Sequence, residues 1–553
     1  MHAIRFLGAA VLAIAAADSG HAQTVLDRVD PGQTDRQQRA EEAVRPDAPR
    51  KPSIEVDAPT NPLPAAGPAP VMVGAIAITG LQVLAPDAFA AVVADTVGRP
   101  LDREQLTDLV DRIVATARAR GFVFASATIA PQRIAAGVLT IRVDEGRIDS
   151  IRNTGDSRPA VDAILEKLVT GRPVTLAEVE RAILIAGDMA GVRIRNARYV
   201  REGDAGILVV AVDSDRIRGR AVLENDGSRP VGPEQLRIDV EAVSLLFSDD
   251  ALAMTYLTAP FQPGELQYGR VRYARRVNSA GTEIGLVATL SSTEPGSYLA
   301  GRGIEGRSWY VGATTLHPLW RRRDASLWLE GEFGVRTLRQ LRETMLARHD
   351  RVVAMRVGLY GNAAWAGGRL RVNATLSRGL DLFDATRRGD PLASRRDAEV
   401  DFTTLTTWAD WVRPLGGSFS MRLATRTQLS SAPLLISEEI GLGGGAFLRG
   451  YNFNERSGDQ GTMAMGELRY DLAKPLNAAV RRVQLYGFVD GGVLTNLRGG
   501  RGGGSLASGG GGLRTVILRG LTADAEIAVP FSGARYDTGT EAPRFNFRVV
   551  KTF

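Results

Sequence analysis

The chain has no cysteine and only four histidines among its 553 residues, and both shortages narrow the chemistry it can perform. Without cysteine there is no disulfide scaffold, no thiolate metal site and no cysteine nucleophile. The two histidines beyond residue 21, His317 and His349, lie far apart in the sequence, which disfavours a histidine metal cage or a catalytic triad. We also find no G-x-S-x-G motif, phosphate-binding loop or paired-carboxylate motif. The sequence therefore predicts neither an enzyme nor a cofactor.

A concentrated basic patch is also missing. The formal net charge is +6, and lysine and arginine are spread along the chain. A dedicated nucleic-acid-binding protein gathers these residues into a stripe or onto one face. Nucleic acid is therefore not among the expected partners.

Long apolar runs are scarce, and the only notable one lies at the N-terminus. Beyond it, no stretch has the ~18 uninterrupted apolar residues that a spanning helix needs. A charged start, Met1–Arg5, precedes the apolar run Phe6–Ala17, and Gly20 and Ala22 follow as small residues at −3 and −1 of a cleavage site. This pattern predicts a secretory signal peptide over residues 1–22. The mature protein is then exported, and any membrane-spanning part has to be a β-barrel.

Residues 23–70 differ in composition from the rest of the chain. Residues 46–70 are rich in proline, which predicts a stiff extended linker. In residues 23–45, a capping-box pattern at Thr34–Gln37 favours a helix from about Gln33 to Val44, polar on all sides. Such a short helix is marginal alone in water. Two interpretations stay open: a disordered tail, or a polar helix housed in a wet cavity of this same protein.

Two α+β units follow, over residues 71–146 and 147–214. In the first, an apolar stripe from Leu106 to Ala117 has the spacing of an amphipathic helix, and strands are expected at 75–79, 122–129 and 137–143. The second repeats the order β-α-α-β-β. Neither unit clusters catalytic residue types, so both are interpreted as docking modules whose sheet edge can accept another strand.

From about residue 215 to residue 553, the period of the apolar residues changes to two. Val353, Met355, Val357 and Leu359, for example, alternate with polar or small residues. A soluble sandwich also alternates, but it seldom does so for more than 300 residues. A transmembrane barrel turns the apolar side to lipid, and at about 21 residues per strand with its connection this span allows around sixteen antiparallel strands. The terminal Phe553 fits a last barrel strand.

Several motifs in this chain resemble those of the outer-membrane transporters (TpsB) of two-partner secretion, the haemolysin secretion/activation family, within the POTRA-plus-barrel superfamily. Leu448-Arg449-Gly450-Tyr451 resembles the family's V-R-G-[FY] signature, with leucine in place of valine. Phe488-Val-Asp490-Gly-Gly492 resembles its F-x-D-x-G strand motif. Asn225-Asp-Gly227 with Gly232 resembles the first barrel strand, and residues 137–148 are similar to the exit of the first POTRA domain. The resemblance covers roughly residues 71–553.

The resemblance implies an outer-membrane barrel with two POTRA domains in the periplasm and an N-terminal helix that can plug the pore. Such a transporter recognises an unfolded exoprotein by its N-terminal secretion domain and exports it without ATP. The implied partners are this exoprotein, outer-membrane lipids and the barrel assembly machinery. A long loop carrying Arg449 is expected to fold back into the lumen.

Strand parity provides an independent argument for the position of Asp490. Asp490 shares a face with Tyr486 and Phe488, opposite Leu485 and Val489, so it points into the lumen if the apolar face meets lipid. An arginine that reaches it would form a charge-assisted pair, and Gly450 would let the backbone turn tightly beside it. Alternatively, Arg449 is solvated on an outer loop, or Asp490 pairs with an arginine of a neighbouring strand.

Two other functions stay open on the sequence alone. A POTRA-barrel insertase assembles other outer-membrane proteins, and its relatives commonly carry more POTRA repeats. A passive porin or plugged uptake channel would not need two periplasmic repeats. The sequence names neither the exoprotein nor its activity.

Overall fold

The computed structural model of the protein describes residues 25–37, 53–56, 70–132, 137–472 and 479–553. The signal peptide expected over residues 1–22, most of the proline-rich linker and residues 38–45 lie outside this part. Helix α1 spans Val25–Arg28, and residues 33–37 form a second helical turn. The second turn begins at Gln33, the predicted start of the helix, and α1 is an additional short helix before it.

The first α+β unit packs two helices on a three-stranded sheet. In this sheet, β6 (Val138–Asp144) lies between β3 (Ala75–Thr79) and β5 (Ser126–Thr128). Helix α3, Arg103–Ala119, begins at a capping box made by Asp102 and Gln105. It buries Leu109, Ile113 and Ala117 against the sheet. Only part of the predicted strand 122–129 is extended, because residues 122–125 form a turn after α3. The elements are β2 Val71–Met72, β3 Ala75–Thr79, a 3₁₀ turn Pro86–Phe89, α2 Ala90–Thr96, β4 Pro100–Leu101, α3 Arg103–Ala119, β5 Ser126–Thr128 and β6 Val138–Asp144.

The second unit has the same layers, and its sheet gains a strand from the linker. The order is β1-β8-β9-β7, with β1, Ser53–Val56, at the edge. Helix α5, Leu176–Gly187, begins at a capping box made by Thr175 and Glu178. Within the described residues, no helix is long and apolar enough to cross a membrane. The other elements are β7 Ser150–Gly155, α4 Pro159–Leu165, a 3₁₀ turn Glu166–Leu168, α5 Leu176–Gly187, β8 Val192–Glu202 and β9 Ala205–Ser214.

Sixteen of the described strands close into one antiparallel barrel, as the period-two pattern predicts, and two more form a hairpin in one of its loops. The barrel strands are β10 Ile217–Glu224, β11 Gln235–Val243, β12 Asp250–Thr258, β13 Gln267–Arg276, β14 Glu283–Thr293, β15 Ile304–Arg321, β16 Ala325–Arg342, β17 Met345–Trp365, β18 Gly368–Gly379, β19 Thr403–Gly416, β20 Phe419–Ser430, β23 Gln460–Asp471, β24 Arg482–Thr495, β25 Gly504–Leu518, β26 Leu521–Pro530 and β27 Arg544–Thr552; the hairpin is β21 Ile440–Leu442 and β22 Arg456–Gly458. The described parts of the loops contain three 3₁₀ turns: Arg229–Val231, Ser297–Leu299 and Ile436–Glu438.

The two ends of the barrel differ in the length of their connections. At the end next to the α+β units, the turns are short, such as 322–324 and 366–367. At the other end lie the long loops 380–402 and 431–459. Short turns at one end and long loops at the other are typical of outer-membrane barrels, with the long loops outside the cell.

The barrel closes between its first and last strands, β10 and β27. Five residue pairs form this ladder, from Arg220↔Thr552 to Glu224↔Arg548. Phe553 extends the seam, since its backbone exchanges hydrogen bonds of 2.9 and 3.0 Å with Gly219. Its ring occupies the space that a side chain at position 219 would need.

Candidate functional site

The loop between β20 and β23, residues 431–459, folds into the barrel and is called the lumen loop below. Gly443 and Gly444 take positive φ angles of 107° and 100° after β21, where the chain turns toward the tip. At the tip, Leu448 and Tyr451 are fully buried. They share an apolar cluster with Leu494 on β24 and Leu506 on β25. The tip of the loop is therefore packed against the inner wall.

Arg449, at this tip, contacts three carboxylates on three barrel strands. Its Nη2 lies 2.8 Å from Glu467 Oε2 on β23, and its Nη1 lies 2.8 Å from Glu526 Oε2 on β26. The distance from its Nε to Asp490 Oδ2 on β24 is 3.8 Å. The guanidinium also lies 3.9 Å from the centre of the Phe488 ring. The sequence predicted one partner, Asp490, whereas Glu467 and Glu526 are the closer ones.

Asp490 holds the backbone of the loop more closely than the Arg449 side chain. Its Oδ2 accepts the backbone N–H of Arg449 at 3.3 Å, and its Oδ1 accepts the hydroxyl of Ser508 on β25. Asp490 is buried on the lumen face, while Leu485 and Val489 are exposed on the opposite face, as strand parity predicts. The carboxylate thus fixes the height at which the loop tip meets the wall.

Further cations and a phenol complete the cluster around Arg449. Glu467 also accepts hydrogen bonds from Arg469 at 2.6 Å and from Arg514 at 2.8 and 3.0 Å. The hydroxyl of Tyr486 donates to Glu526 at 2.9 Å. Removing one partner from such a buried network typically costs about 3–5 kcal/mol, because an uncompensated charge is left behind.

Gly450 and Gly492 allow close approach of the loop to the wall. A Cβ on Gly450 would lie 2.9 Å from Ser508 Cβ and 3.0 Å from Pro530 N. A Cβ on Gly492 would lie 2.6 Å from Leu442 Cδ2. Gly450 lies in the expected tight turn, since the N–H of Tyr451 donates to the carbonyl of Leu448 at 2.9 Å across Arg449 and Gly450, and the positive φ of this turn, 61°, belongs to Leu448. Gly450 is needed because the backbone touches β25 and β26.

Tyr451 connects the tip of the lumen loop to the last outer loop, residues 531–543. Its hydroxyl accepts the backbone N–H of Ser532 at 3.1 Å and donates to the carbonyl of Gly533 at 3.2 Å. Both partners belong to the loop that connects β26 with β27. All four residues of the L-R-G-Y motif therefore contact the barrel or its loops.

The Asn225–Gly232 motif lies where the barrel closes. The Asn225 side chain donates to the carbonyl of Phe545 and accepts the N–H of Phe547, both at 2.8 Å, so it bridges the first and last strands. Gly227 and Gly232 are packed tightly: a Cβ on Gly227 would lie 2.0 Å from the carbonyl oxygen of Gly232. Asp226, between Asn225 and Gly227 in the sequence, accepts the N–H of Gly445 in the lumen loop at 2.8 Å.

Residues 25–37 lie in the lumen and bind the inner wall through polar contacts and through Val29, which packs with Leu299 and Ile304. Asp35 is buried, 2.5 Å from Arg336 Nη2 on β16, and accepts the hydroxyl of Tyr268 at 3.0 Å. Asp27 lies 2.7 Å from Arg348 on β17. The Gln340 amide donates to the carbonyl of Leu26 at 2.9 Å.

The same segment also contacts the lumen loop. Arg36 donates to the carbonyl of Ile436, and the Gln33 amide donates to the carbonyl of Phe453 at 2.9 Å. Arg28 stacks on Tyr536, 3.2 Å from the ring centre, and lies 3.9 Å from Glu455. The N-terminal segment and the lumen loop are thus one connected polar structure inside the barrel.

Beyond this segment, the chain continues to the edge of the second α+β unit. There β1 runs parallel to β8, with Glu55 opposite Arg198 and Val56 opposite Tyr199. Ile54 and Val56 pack on the hydrophobic core of the unit. Tyr199 is itself part of that core, and burial raises the pKa of its hydroxyl. The edge of this sheet therefore accepts an extended strand, here one from the same chain.

A model of the haemolysin secretion/activation protein family ShlB/FhaC/HecB matches residues 203–515, more than half of the sequence. The chain belongs to this family. A model of the ShlB-type POTRA domain also matches residues 72–146, which is the first α+β unit.

Relatives of similar architecture support the assignment to this family. The chain is 22% identical over 404 residues to the heme/hemopexin transporter protein HuxB of Haemophilus influenzae strain 86-028NP, covering 71% of this chain and 70% of the relative. It is 25% identical over 484 residues to the outer membrane transporter CdiB of Escherichia coli, covering 83% and 78%. The structure of CdiB from Escherichia coli superposes with a TM-score of 0.72 at 20% identity, covering 97% of this chain and all of that chain.

Membership of the ShlB/FhaC/HecB family fixes the orientation of the barrel. The barrel lies in the outer membrane, with the POTRA domains in the periplasm. The short turns consequently face the periplasm, and the long loops face the cell exterior.

Three contact residues of the site were missed from the sequence: Glu467, Glu526 and Asp226. Glu467 lies in the conspicuous stretch Glu467-Leu-Arg-Tyr470, and Glu526 alternates with apolar neighbours on β26 in phase with Asp524. Parity therefore assigns Glu526 to the lumen face. It does not tell which of sixteen strands the tip of the lumen loop reaches.

Proposed function

We propose that the protein is the outer-membrane pore that exports an unfolded exoprotein in two-partner secretion, without ATP. The observation that carries the proposal is the linker strand β1 on the edge of β8, because it offers an extended-peptide site in the periplasm. Backbone hydrogen bonds at such an edge bind a strand with little regard to its sequence, and side-chain pockets add selectivity. An unfolded exoprotein can supply that strand.

The lumen supports an export path because the N-terminal segment is held largely by polar contacts. Residues 25–37 form ion pairs and hydrogen bonds with the wall, such as those at Asp35 and Asp27, beside one small apolar contact of Val29 with Leu299 and Ile304. Water and a passing polar chain can replace such contacts more readily than they replace apolar packing. In our proposal, these residues act as a plug that leaves when cargo engages.

The linker connects binding of the exoprotein at the β8 edge with departure of the plug from the lumen. Residues 25–37 occupy the lumen and residues 53–56 occupy the β8 edge, so they are joined by fifteen intervening residues. An exoprotein strand that displaces β1 from β8 removes one of the anchors of the plug. Cargo recognition in the periplasm would then favour opening of the pore.

The test uses a disulfide that locks β1 onto β8. Glu55 and Arg198 lie opposite each other and are exposed, and the natural chain has no cysteine. We expect Glu55→Cys/Arg198→Cys to block export of a co-expressed exoprotein under oxidising conditions and to recover with a reductant. Each single cysteine variant serves as control and should export normally. Normal export by the fully cross-linked protein would contradict the proposed role of the edge.

A further inference from the structure

A groove of 470 Å³ lies on the lipid-facing wall of the barrel, across strands β12 to β16. Tyr256, Gly269, Leu290 and Trp309 stand opposite one another in one cross-strand row. The three side chains are exposed by 47, 68 and 38%. Gly269 leaves a notch between them, because a Cβ there would have no atom within 4 Å. The floor of the groove is therefore apolar, and the notch at Gly269 has the shape of a site for an acyl chain rather than for a flat molecule.

A second, basic row, two residues farther toward the long loops, begins on β15 beyond Trp309 and continues across β16 and β17. Arg307 on β15 stands opposite Arg339 on β16, and Arg339 stands opposite His349 on β17. The Arg307 side chain is 73% exposed, and its ion-pair contact is Glu305 at 3.9 Å. Within the described part of the chain, Arg339 makes no hydrogen bond or ion pair, and His349 Nε2 has no hydrogen-bond partner. Arg307 and Arg339 are like charges placed opposite each other in a sheet and repel, so this pair favours an anion.

The two rows occupy different depths of the membrane. Two residues along a tilted barrel strand correspond to about 5 Å in height. The basic row lies on the side of the long loops, which face the cell exterior. Aromatic side chains mark the boundary of the hydrocarbon layer in such barrels. The arginines therefore lie at the level of the headgroups of the outer leaflet, above the Trp309 side of the apolar groove.

We propose that this groove binds a phosphorylated, multiply acylated glycolipid of the outer leaflet, of the lipopolysaccharide class. Arg307 and Arg339 would bind its phosphate groups, since the planar guanidinium matches phosphate oxygens with paired hydrogen bonds. One acyl chain would lie over Gly269, between Tyr256 and Leu290. On their inner face, β13 and β16 carry Tyr268 and Arg336, the residues that hold Asp35. A lipid bound here supports the wall segment that grips the N-terminal segment.

Native mass spectrometry of the full chain in detergent tests the proposal. The probes are bisphosphorylated lipid A, its dephosphorylated form, phosphatidylethanolamine and inorganic phosphate. We expect the protein to retain lipid A at concentrations about tenfold lower than either other lipid. Arg307→Gln/Arg339→Gln should abolish this preference, and Gly269→Leu, which fills the notch, should weaken binding of lipid A. Inorganic phosphate alone should not displace the lipid.

A matched control removes two arginines from the opposite rim. Arg413 and Arg519 are exposed at the periplasmic end, so Arg413→Gln/Arg519→Gln changes the net charge equally. This control should bind lipid A as the unmodified protein does, and heat-modifiable migration in gels verifies that each barrel is folded. Equal retention of lipid A by both double variants, or equal retention of lipid A and phosphatidylethanolamine by the unmodified protein, would overturn the proposal.

Discussion

Arg449 joins the tip of the lumen loop to three strands of the barrel. Its two shortest ion pairs, to Glu467 and Glu526, are buried, so the charges cannot be screened by bulk water. The barrel itself is held by its closed ladder of backbone hydrogen bonds. Loss of the arginine should therefore affect the position of the loop and leave the barrel intact.

We expect Arg449→Ala to give a folded, heat-modifiable barrel with severely reduced export. The change leaves Glu467, Glu526 and Asp490 without their common cation, at a typical cost of about 3–5 kcal/mol. Secreted exoprotein is the readout, and barrel amounts are measured in parallel. Arg501→Ala, in an exposed loop away from the cluster, is the control and should export normally. Normal export by Arg449→Ala would show that the loop position does not matter.

The distances in the cluster also rank its carboxylates. Asp490→Ala should reduce export, because the backbone N–H of Arg449 loses its acceptor at 3.3 Å, but by less than Arg449→Ala, because the Arg449 side chain keeps its two closest carboxylates. Glu526→Gln should partly restore export when combined with Arg449→Ala, since it removes one uncompensated charge. A double-mutant cycle on export measures this coupling. Strictly additive defects of Arg449→Ala and Glu526→Gln would contradict a direct interaction.

At the scale of elements, two short segments depend on the barrel and on the second unit for their structure. Residues 25–37 are too short to form a stable helix alone, and buried partners such as Arg336 and Arg348 stabilise them in the lumen. Strand β1 is four residues long, and β8 supplies its partner. Such segments are expected to be released first when a competing partner arrives.

Deleting residues 24–45 should enlarge the single-channel conductance of the protein in planar bilayers. The deletion removes the lumen contacts of Asp27 and Asp35 and leaves the barrel ladder complete. Export should be largely retained, because the β8 edge remains. Unchanged conductance would mean that this segment does not obstruct the pore.

These two segments also mark the limit of prediction from the sequence. The period-two pattern yields sixteen strands and the lumen face of Asp490, because alternation is a local property of each strand. Helix α1 and strand β1 carry no comparable local pattern, and β1 lies within a proline-rich segment. Long-range partners such as Gln340 and Arg198 determine both. The two closer partners of Arg449, Glu467 and Glu526, were missed for the same reason, since they lie on other elements and Glu526 is 77 residues away in the chain.

At the scale of the whole molecule, contacts between the second unit and the barrel position the POTRA domains below the pore. Arg321 on β15 forms two hydrogen bonds with Asp188, at 2.6 and 2.7 Å. Arg276 on β13 donates to the carbonyl of Ile185 at 2.7 Å. These contacts hold the periplasmic units at the short-turn end of the barrel, where an arriving exoprotein has to enter.

Deleting residues 73–214 should stop export while the barrel still inserts into the outer membrane. The deleted part contains the β8 edge and no barrel strand. Fractionation and heat-modifiable migration measure insertion, and secreted exoprotein measures export. Normal amounts of exoprotein outside cells that carry the truncated protein would refute a docking role for these units.

Transport by the purified protein in liposomes tests the central claim most directly. An unfolded exoprotein with its N-terminal secretion domain is added on the side of the POTRA domains, without ATP, and transport is measured as protection of the exoprotein from protease. The account predicts protected exoprotein with the unmodified protein, and none with oxidised Glu55→Cys/Arg198→Cys until a reductant is added. Failure of the unmodified, correctly oriented protein to protect any exoprotein, or equal protection by the oxidised variant, would contradict it.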